Sequence, residues 1–109
     1  MKMIVVSVYK LTDPRKAVLT FYVGATTNKP KIRLKEHLYD IPRYRKNRKR
    51  QWFLELKSKD LRPILTVLDK CSLEESSLAE HDTLLALIAI RGLENCVNKE
   101  IRTLRKIQK

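Results

Sequence analysis

With 109 residues, 43% of them hydrophobic, the chain is long enough for one folded domain and too apolar for a disordered tail. Lysine and arginine number 24 against 12 acidic residues, which gives a formal net charge of +12. This excess favours a polyanionic partner, nucleic acid first and an anionic membrane surface second.

The two cysteines, Cys71 and Cys96, stand far apart and form no CxxC pair, so the sequence argues against a zinc site. Free thiols are typical of a reducing cytosol. The longest apolar run, residues 84–90, is too short to cross a bilayer, and residues 3–8 lack the layout of a signal peptide. We therefore expect an intracellular, cytoplasmic protein with no membrane partner.

The N-terminal part of the chain predicts a β-hairpin. Residues 3–12 are apolar and β-branched, a turn follows at Asp13, and residues 18–23 return as a second strand. Basic residues after the turn are expected to keep it solvated. Tyr9 and Tyr22 fall on the two arms, and the register of the pairing decides whether they share a face.

A helix is predicted after the hairpin. Gly24 ends the second strand and allows close approach of the backbone. Residues 26–28 are Thr, Thr and Asn, which cap helices, and proline is tolerated in a first turn, so the helix should begin near residues 29–30. Arg33 and His37 are four apart on this helix and therefore share a face.

The densest positive stretch of the chain, R-Y-R-K-N-R-K-R, covers residues 43–50. Basic side chains interleaved with an aromatic one suit phosphate contact combined with stacking. The alternative is a solvated loop and helix start, as charge runs usually are. We predict nucleic-acid contacts from six residues: Arg43, Arg45, Lys46, Arg48, Lys49 and Arg50.

Two further elements follow the basic run. Residues 47–59 predict a second helix whose inward apolar stripe contains Trp52, Phe53 and Leu56. Trp52 is expected in the core rather than stacked on a base. Residues 63–69 predict a third strand.

The last predicted element is a long helix. Ser72 and Glu75 have the spacing of a capping box, so the helix should open there and run to about Arg91, before Gly92. Its apolar residues cover a broad face, and we expect it to be well buried. Residues 99–109 form a basic C-terminal tail.

An ordered set of these residues resembles the GIY-YIG nuclease superfamily. Ser7-Val8-Tyr9 resembles the first motif of that family, and Tyr22-Val23-Gly24 is similar to its other tyrosine-containing motif. The arginine, histidine, glutamate and asparagine of the family are matched, in order, by Arg33, His37, Glu80 and Asn98. The resemblance covers almost the whole chain, and the ordered set is much more specific than any one motif.

Three features depart from the family pattern. Ser7 stands in the position of the first glycine, and the interval between the two tyrosines is longer than usual. The glutamate also has acidic neighbours. Because Glu75 is suited to the helix cap, we assign the family's glutamate to Glu80 and keep Asp82 as the alternate.

The resemblance implies that Tyr9 is the general base. A free tyrosine, with a pKa of ~10, is a poor base at neutral pH, so a nearby cation and Arg33 would have to lower it. His37 would accept or relay the proton, and Tyr22 would orient the water or the phosphate. Asn98 would fix the site through hydrogen bonds.

Two residues suit the charges of phosphodiester cleavage. Arg33 offers a planar fork for phosphate oxygens, which a lysine does less well. Glu80, as the one carboxylate expected to face the site, suits a hard divalent cation, Mg²⁺ or Mn²⁺, which keeps several of its waters. The resemblance therefore implies a metal-dependent active site.

We expect an α+β fold in one GIY-YIG-like domain over residues 1–109, with a small antiparallel sheet of three strands flanked by helices. The expected function is that of a divalent-metal-dependent DNA endonuclease acting on phosphodiester bonds, with duplex DNA as partner and no small-molecule substrate. The alternatives are a catalytically inactive nucleic-acid-binding module on the same scaffold and an RNA-associated basic protein. The oligomeric state is left open.

Overall fold

A computed structural model describes residues 4–39 and 48–98 of the chain. In chain order its elements are β1 (Val5–Thr12), β2 (Phe21–Thr26), α1 (Pro30–Tyr39), α2 (Arg48–Ser58), β3 (Ile64–Ser72), α3 (Ser76–Arg91) and a 3₁₀ turn (Leu93–Asn95). The predicted α+β architecture, a three-stranded antiparallel sheet flanked by helices, is confirmed. None of the described helices is long and apolar enough to cross a membrane.

β1 is the central strand of the sheet, with β2 on one side and β3 on the other, both antiparallel to it. Its pairing with β2 places Tyr9 opposite Gly24 and Leu11 opposite Tyr22. Side chains directly opposite one another in a sheet point to the same face. Tyr9 and Tyr22 therefore share a face, which the sequence had left open.

The two faces of the sheet carry different cores. Val8, Phe21 and Val23 face α3 and pack with Leu84 and Leu87. On the other face, Tyr9 and Leu11 pack with the inward stripe of α2, which consists of Trp52, Phe53 and Leu56. Since α1 also packs on this second face, through Leu34 and Leu38, the fold has three layers with the sheet in the middle.

Several predicted boundaries are confirmed, but the prediction that Gly24 ends the second strand is wrong, because Ala25 and Thr26 continue the pairing of β2 with β1. α1 begins at Pro30, and α2 lies within the predicted residues 47–59. Gly92 ends α3, where it has a φ of 95° and its N–H donates to the carbonyl of Ile88 at 2.8 Å. Only a residue without a side chain adopts this φ readily, which explains why the helix ends there.

The predicted capping box is wrong as the start of the long helix. Ser72 is the last residue of β3, held in the sheet by its pairing with Val5, and α3 begins at Ser76. The Ser72 hydroxyl accepts a hydrogen bond from the Glu75 N–H at 3.3 Å, but it does so in the turn between the two elements. Sheet pairing therefore extends the strand through the position where the local pattern predicted a cap.

The expectation that the broad apolar face of α3 is well buried is also wrong, because only part of that face is buried. Leu84 and Leu87 are buried, whereas Leu78, Leu85 and Ile90 are 66%, 41% and 78% exposed. The helix covers one face of a small sheet, so only one stripe of its apolar residues finds partners.

Asp13 is buried rather than part of a solvated turn. Its carboxylate accepts hydrogen bonds from the Arg15 side chain at 2.7 and 2.8 Å and from the Trp52 indole at 2.8 Å. Burial alone would raise the pKa of Asp13, but these hydrogen bonds outweigh it and lower the pKa from its usual value. The network ties the loop after β1 to α2, and Trp52 is a core residue as predicted.

We expect Asp13→Ala to lower the free energy of unfolding by about 2 kcal/mol, because it leaves the buried Trp52 indole without its hydrogen-bond acceptor. Urea denaturation measures the loss. Asp82→Ala, on the exposed side of α3, is the matched control and should change stability by less than about 0.5 kcal/mol. Equal losses in the two variants would contradict a structural role for the Asp13 network.

Candidate functional site

The site is built on the contact between Tyr9 and Gly24. The Tyr9 ring lies directly over the glycine, and a Cβ added at Gly24 would stand 2.5 Å from Tyr9 Cζ and 2.9 Å from Tyr22 Cε1. Real Cβ atoms do not approach other atoms so closely. Glycine is therefore required at this position for both phenol rings to pack as they do.

Two side chains of α1 bind the phenol oxygen of Tyr9. The Tyr9 Oη lies 2.6 Å from His37 Nε2, and Arg33 Nε donates to the same oxygen at 3.2 Å. Because Arg33 fills an acceptor position of Oη, we assign the phenol O–H as the donor to His37. The face that the helical spacing predicted for Arg33 and His37 is the face that contacts Tyr9.

His37 is fully buried and neutral. Burial lowers the pKa of His37 from 6.5 to about 3, and the charges of Lys49 and Arg33 contribute to the same shift. The rings of Tyr22 and Phe53 stand edge-on to the imidazole, with centroids 5.4 and 5.9 Å from it. A neutral imidazole is a hydrogen-bond acceptor, as the contact with Tyr9 requires.

Tyr22 completes the group of side chains on this face. Its ring centroid is 6.4 Å from that of Tyr9, and the Lys49 Nζ lies 4.2 Å from the Tyr22 centroid. Burial works against the charge of Arg33, but interactions with Tyr9, Tyr22 and Glu36 raise its pKa above the usual value. We call Tyr9, Tyr22, Arg33 and His37 the tyrosine cluster.

Asn98 contacts the cluster indirectly, through hydrogen bonds to the backbone of β2. Its buried amide accepts from the Val23 N–H at 2.9 Å and donates to the Val23 carbonyl at 2.7 Å. Val23 lies between Tyr22 and Gly24, the two outer members of the tyrosine–valine–glycine motif. Asn98 therefore fixes the strand segment on which the phenols pack.

The predicted metal ligand comes from the opposite side of the sheet. Glu80 is half-buried on α3, one helical turn after Ser76 and one before Leu84. Ser76 lines a cleft of about 310 Å³ at the end of β2, which Arg33 and Glu36 of α1 also line. The structure thus joins Tyr9, Tyr22, Arg33 and His37 in one cluster, whereas Glu80 belongs to the helix that packs on the other face.

Residues 4–39 and 48–98 contain no group of three or more side chains arranged to hold a metal ion. A hydrated Mg²⁺ needs only one or two protein oxygens, so a site with a single carboxylate, as predicted at Glu80, would not form such a group.

The basic residues of α2 have contacts that charge alone did not predict. Arg48 donates to the carbonyls of Cys96 and Glu94, the first at 3.1 Å, and Lys49 lies on the Tyr22 ring. Arg50 is half-buried. The other predicted contacts, Arg43, Arg45 and Lys46, and the tail lie outside the described residues.

Lys49 is the site residue whose position the sequence analysis missed. It precedes Phe53 by four residues and Leu56 by seven, so helical spacing places it on the inward stripe of α2. That spacing was present in the sequence, but the density of positive charge led to an outward assignment.

Comparisons with protein-family models, with curated proteins and with solved structures find no match to this chain. The interpretation of the site depends on its own contacts. Those contacts join a phenol, a neutral imidazole and a guanidinium around one buried oxygen atom.

The free energy of unfolding should fall as the pH decreases from 7 to 5, because His37 accepts a proton near pH 6.5 when unfolded and only near 3 when folded. The folded state then binds fewer protons, so stability is present above pH ~6.5 and declines progressively below it. By pH 5 the His37 contribution should have fallen by about 2 kcal/mol.

Urea denaturation at the two pH values measures this decline. His37→Gln should reduce the pH dependence, and His81→Gln, at an exposed position of α3, should leave it unchanged. The same pH dependence in wild type and both variants would show that His37 is not held neutral by the fold.

Proposed function

We propose that this protein is a divalent-metal-dependent endonuclease that hydrolyses phosphodiester bonds in DNA, most suitably duplex DNA. Such a reaction needs a base for the attacking water, positive charge for the phosphate and assistance to the leaving oxygen. The observation that supports the proposal is the pair of hydrogen bonds that His37 and Arg33 make with the Tyr9 oxygen.

His37 and Arg33 would together prepare Tyr9 as the base. The neutral imidazole would orient the phenol by accepting the hydrogen bond of its O–H at Nε2, and the guanidinium would favour the phenolate that forms when this proton passes to water. The phenolate would then take a proton from water. Tyr9 is fully buried, and the Arg33 side chain is 29% exposed. A phosphate bound at the exposed end of Arg33 would therefore lie next to the buried phenol oxygen.

The remaining residues would bind and position. Arg33 would contact the phosphate with its planar fork, and Tyr22, which is half-buried, would orient the water or the phosphate at the edge of the cluster. Glu80 would hold Mg²⁺ or Mn²⁺, which supplies charge neutralisation and Lewis acidity when bound. An intracellular location stays a prediction from the composition.

A catalytically inactive nucleic-acid-binding module is the second candidate, favoured by Ser7 in place of the first glycine. Ser7 is buried in β1 and pairs with Thr26 in an unbroken register with β2. The serine is thus accommodated without disturbing the pairing of Tyr9 with Gly24. An RNA-associated protein is the third candidate, and competition between duplex DNA and structured RNA would distinguish it.

A plasmid-nicking assay with Mg²⁺ tests the proposed activity. We expect wild type to cut, and Arg33→Ala and Glu80→Gln each to reduce the rate by about 100-fold or more, because the first removes a positive charge from the phosphate and the second removes the proposed ligand of the cation. Lys35→Ala, an exposed position of α1, and Asp82→Asn are the matched controls and should cut like wild type.

The outcomes separate the candidates. Equal cutting by wild type, Arg33→Ala and Glu80→Gln would overturn the site assignment. No cutting by wild type would favour the inactive module. Loss of activity in Asp82→Asn with activity retained in Glu80→Gln would transfer the metal ligand to Asp82.

We expect DNA binding of low sequence specificity and strong salt dependence, because the basic residues would contact phosphates rather than base edges. Substituting Arg43, Arg45 and Lys46 together by Ala should reduce the slope of log K against log salt by about 0.9 for each phosphate that is no longer neutralised. Fluorescence anisotropy with duplex DNA measures the slope. Lys57→Ala, in the last turn of α2, is the control, and binding unchanged from low to high salt would contradict the expectation.

A further inference from the structure

Lys49 lies on the inner side of α2, against the tyrosine cluster. Its Nζ is 4.2 Å from the Tyr22 ring centroid and 5.8 Å from that of Phe53. Both distances are within the range in which an ammonium is attracted to the face of an aromatic ring. Its side chain is half-buried. The predicted role, contact with the DNA backbone, does not account for this position.

Cations from two helices reach Tyr22. Arg33 of α1 interacts electrostatically with Tyr22, and Lys49 of α2 lies on its ring. Tyr9 of β1, with a ring centroid 6.4 Å away, and the neutral His37 of α1, with a centroid 5.4 Å away, also face Tyr22. Glu36 of α1 interacts with Arg33 at 3.7 Å. A phenol near two cations is favoured in its ionised form.

We propose that Lys49 is a positioning residue of this site, which acts through Tyr22 by holding its ring and favouring its ionised form. When Tyr22 ionises, its proton passes to water, and the negative charge that remains is stabilised by Lys49 and Arg33. The kinetic consequence rests on the proposed nuclease function, whereas the effect on Tyr22 does not. The sequence predicted that Lys49, like the other basic residues of the run, contacts phosphates, whereas the proposed role is a contact within the site.

Lys49→Met and Lys49→Arg test the proposal, with Lys57→Met in the last turn of α2 as the control. The first measurement is a tyrosinate absorbance titration, in which Tyr22→Phe identifies the contribution of Tyr22. We expect Lys49→Met to raise the midpoint assigned to Tyr22 by about one pH unit. Lys49→Arg should keep the wild-type midpoint, since it keeps the charge. An unchanged midpoint in Lys49→Met would overturn the proposal.

The second measurement is the pH profile of DNA cleavage at saturating DNA, together with the dissociation constant. Lys49→Met should lower the saturated rate at neutral pH by about tenfold and shift the profile to higher pH, with Lys49→Arg restoring both. Its dissociation constant should remain within about twofold of wild type. Weaker binding with an unchanged saturated rate and an unchanged titration would instead make Lys49 a backbone contact.

The two measurements distinguish a failure of the proposed function from a failure of the proposed role of Lys49. If wild type does not cut DNA, the proposed function is wrong, and the absorbance titration still decides whether Lys49 acts on Tyr22. If wild type cuts and Lys49→Met has the wild-type profile and midpoint, the nuclease proposal stands and the role of Lys49 is wrong. Urea denaturation of Lys49→Met confirms that the compared proteins are folded.

Discussion

The close contact of a tyrosine with a glycine on the neighbouring strand is the constraint on which the site depends. The pairing of Tyr9 with Gly24 leaves room for the hydroxyl end of the phenol to pack against the backbone of β2. The phenol oxygen is then buried, and a buried oxygen must find hydrogen-bond partners. His37 and Arg33 supply them from α1. The interaction that packs this helix on the sheet is therefore the same one that sets the chemistry of the phenol.

The alternation of side chains along the central strand gives the sheet two faces that differ in their side chains. Val8 and Val23 build an apolar core with α3, while Tyr9 and Tyr22 face α1 and α2. Asn98 contacts the strand that carries both faces. It binds the backbone of Val23, which lies between Tyr22 and Gly24 in β2. In the proposed reaction, the base and the metal ligand come from opposite faces of the sheet. The cleft at the end of β2 is lined by Arg33 and Glu36 of α1 and by Ser76, the first residue of α3, but not by Tyr9 or Glu80.

The parts of the fold that could be predicted from the sequence are those decided by local chemistry. The start of α1 follows from a capping segment and a proline. The end of α3 follows from a glycine, Gly92, which adopts a φ of 95° in the structure. The parts that could not be predicted depend on distant partners. Ser72 has the side chain of a cap, yet pairing with Val5 keeps it in a strand. Asp13 is a residue typical of solvated turns, yet its carboxylate is buried, where it accepts a hydrogen bond from the indole of Trp52. In each case a contact far along the chain outweighs a local preference.

The same distinction applies to charge, which is where composition predicts least about the site. The excess of 24 basic over 12 acidic residues indicates a polyanionic partner. Part of that charge is nevertheless used within the protein: Arg15 binds Asp13, Arg48 binds two carbonyl groups, and Lys49 lies on an aromatic ring. A cation with an internal partner must give up that contact to bind a phosphate, so it contributes less to DNA affinity than a solvated one. The net charge therefore overstates the number of cations available to a nucleic acid. Which cations of α2 contact the tyrosine cluster depends on which side of the helix faces the sheet.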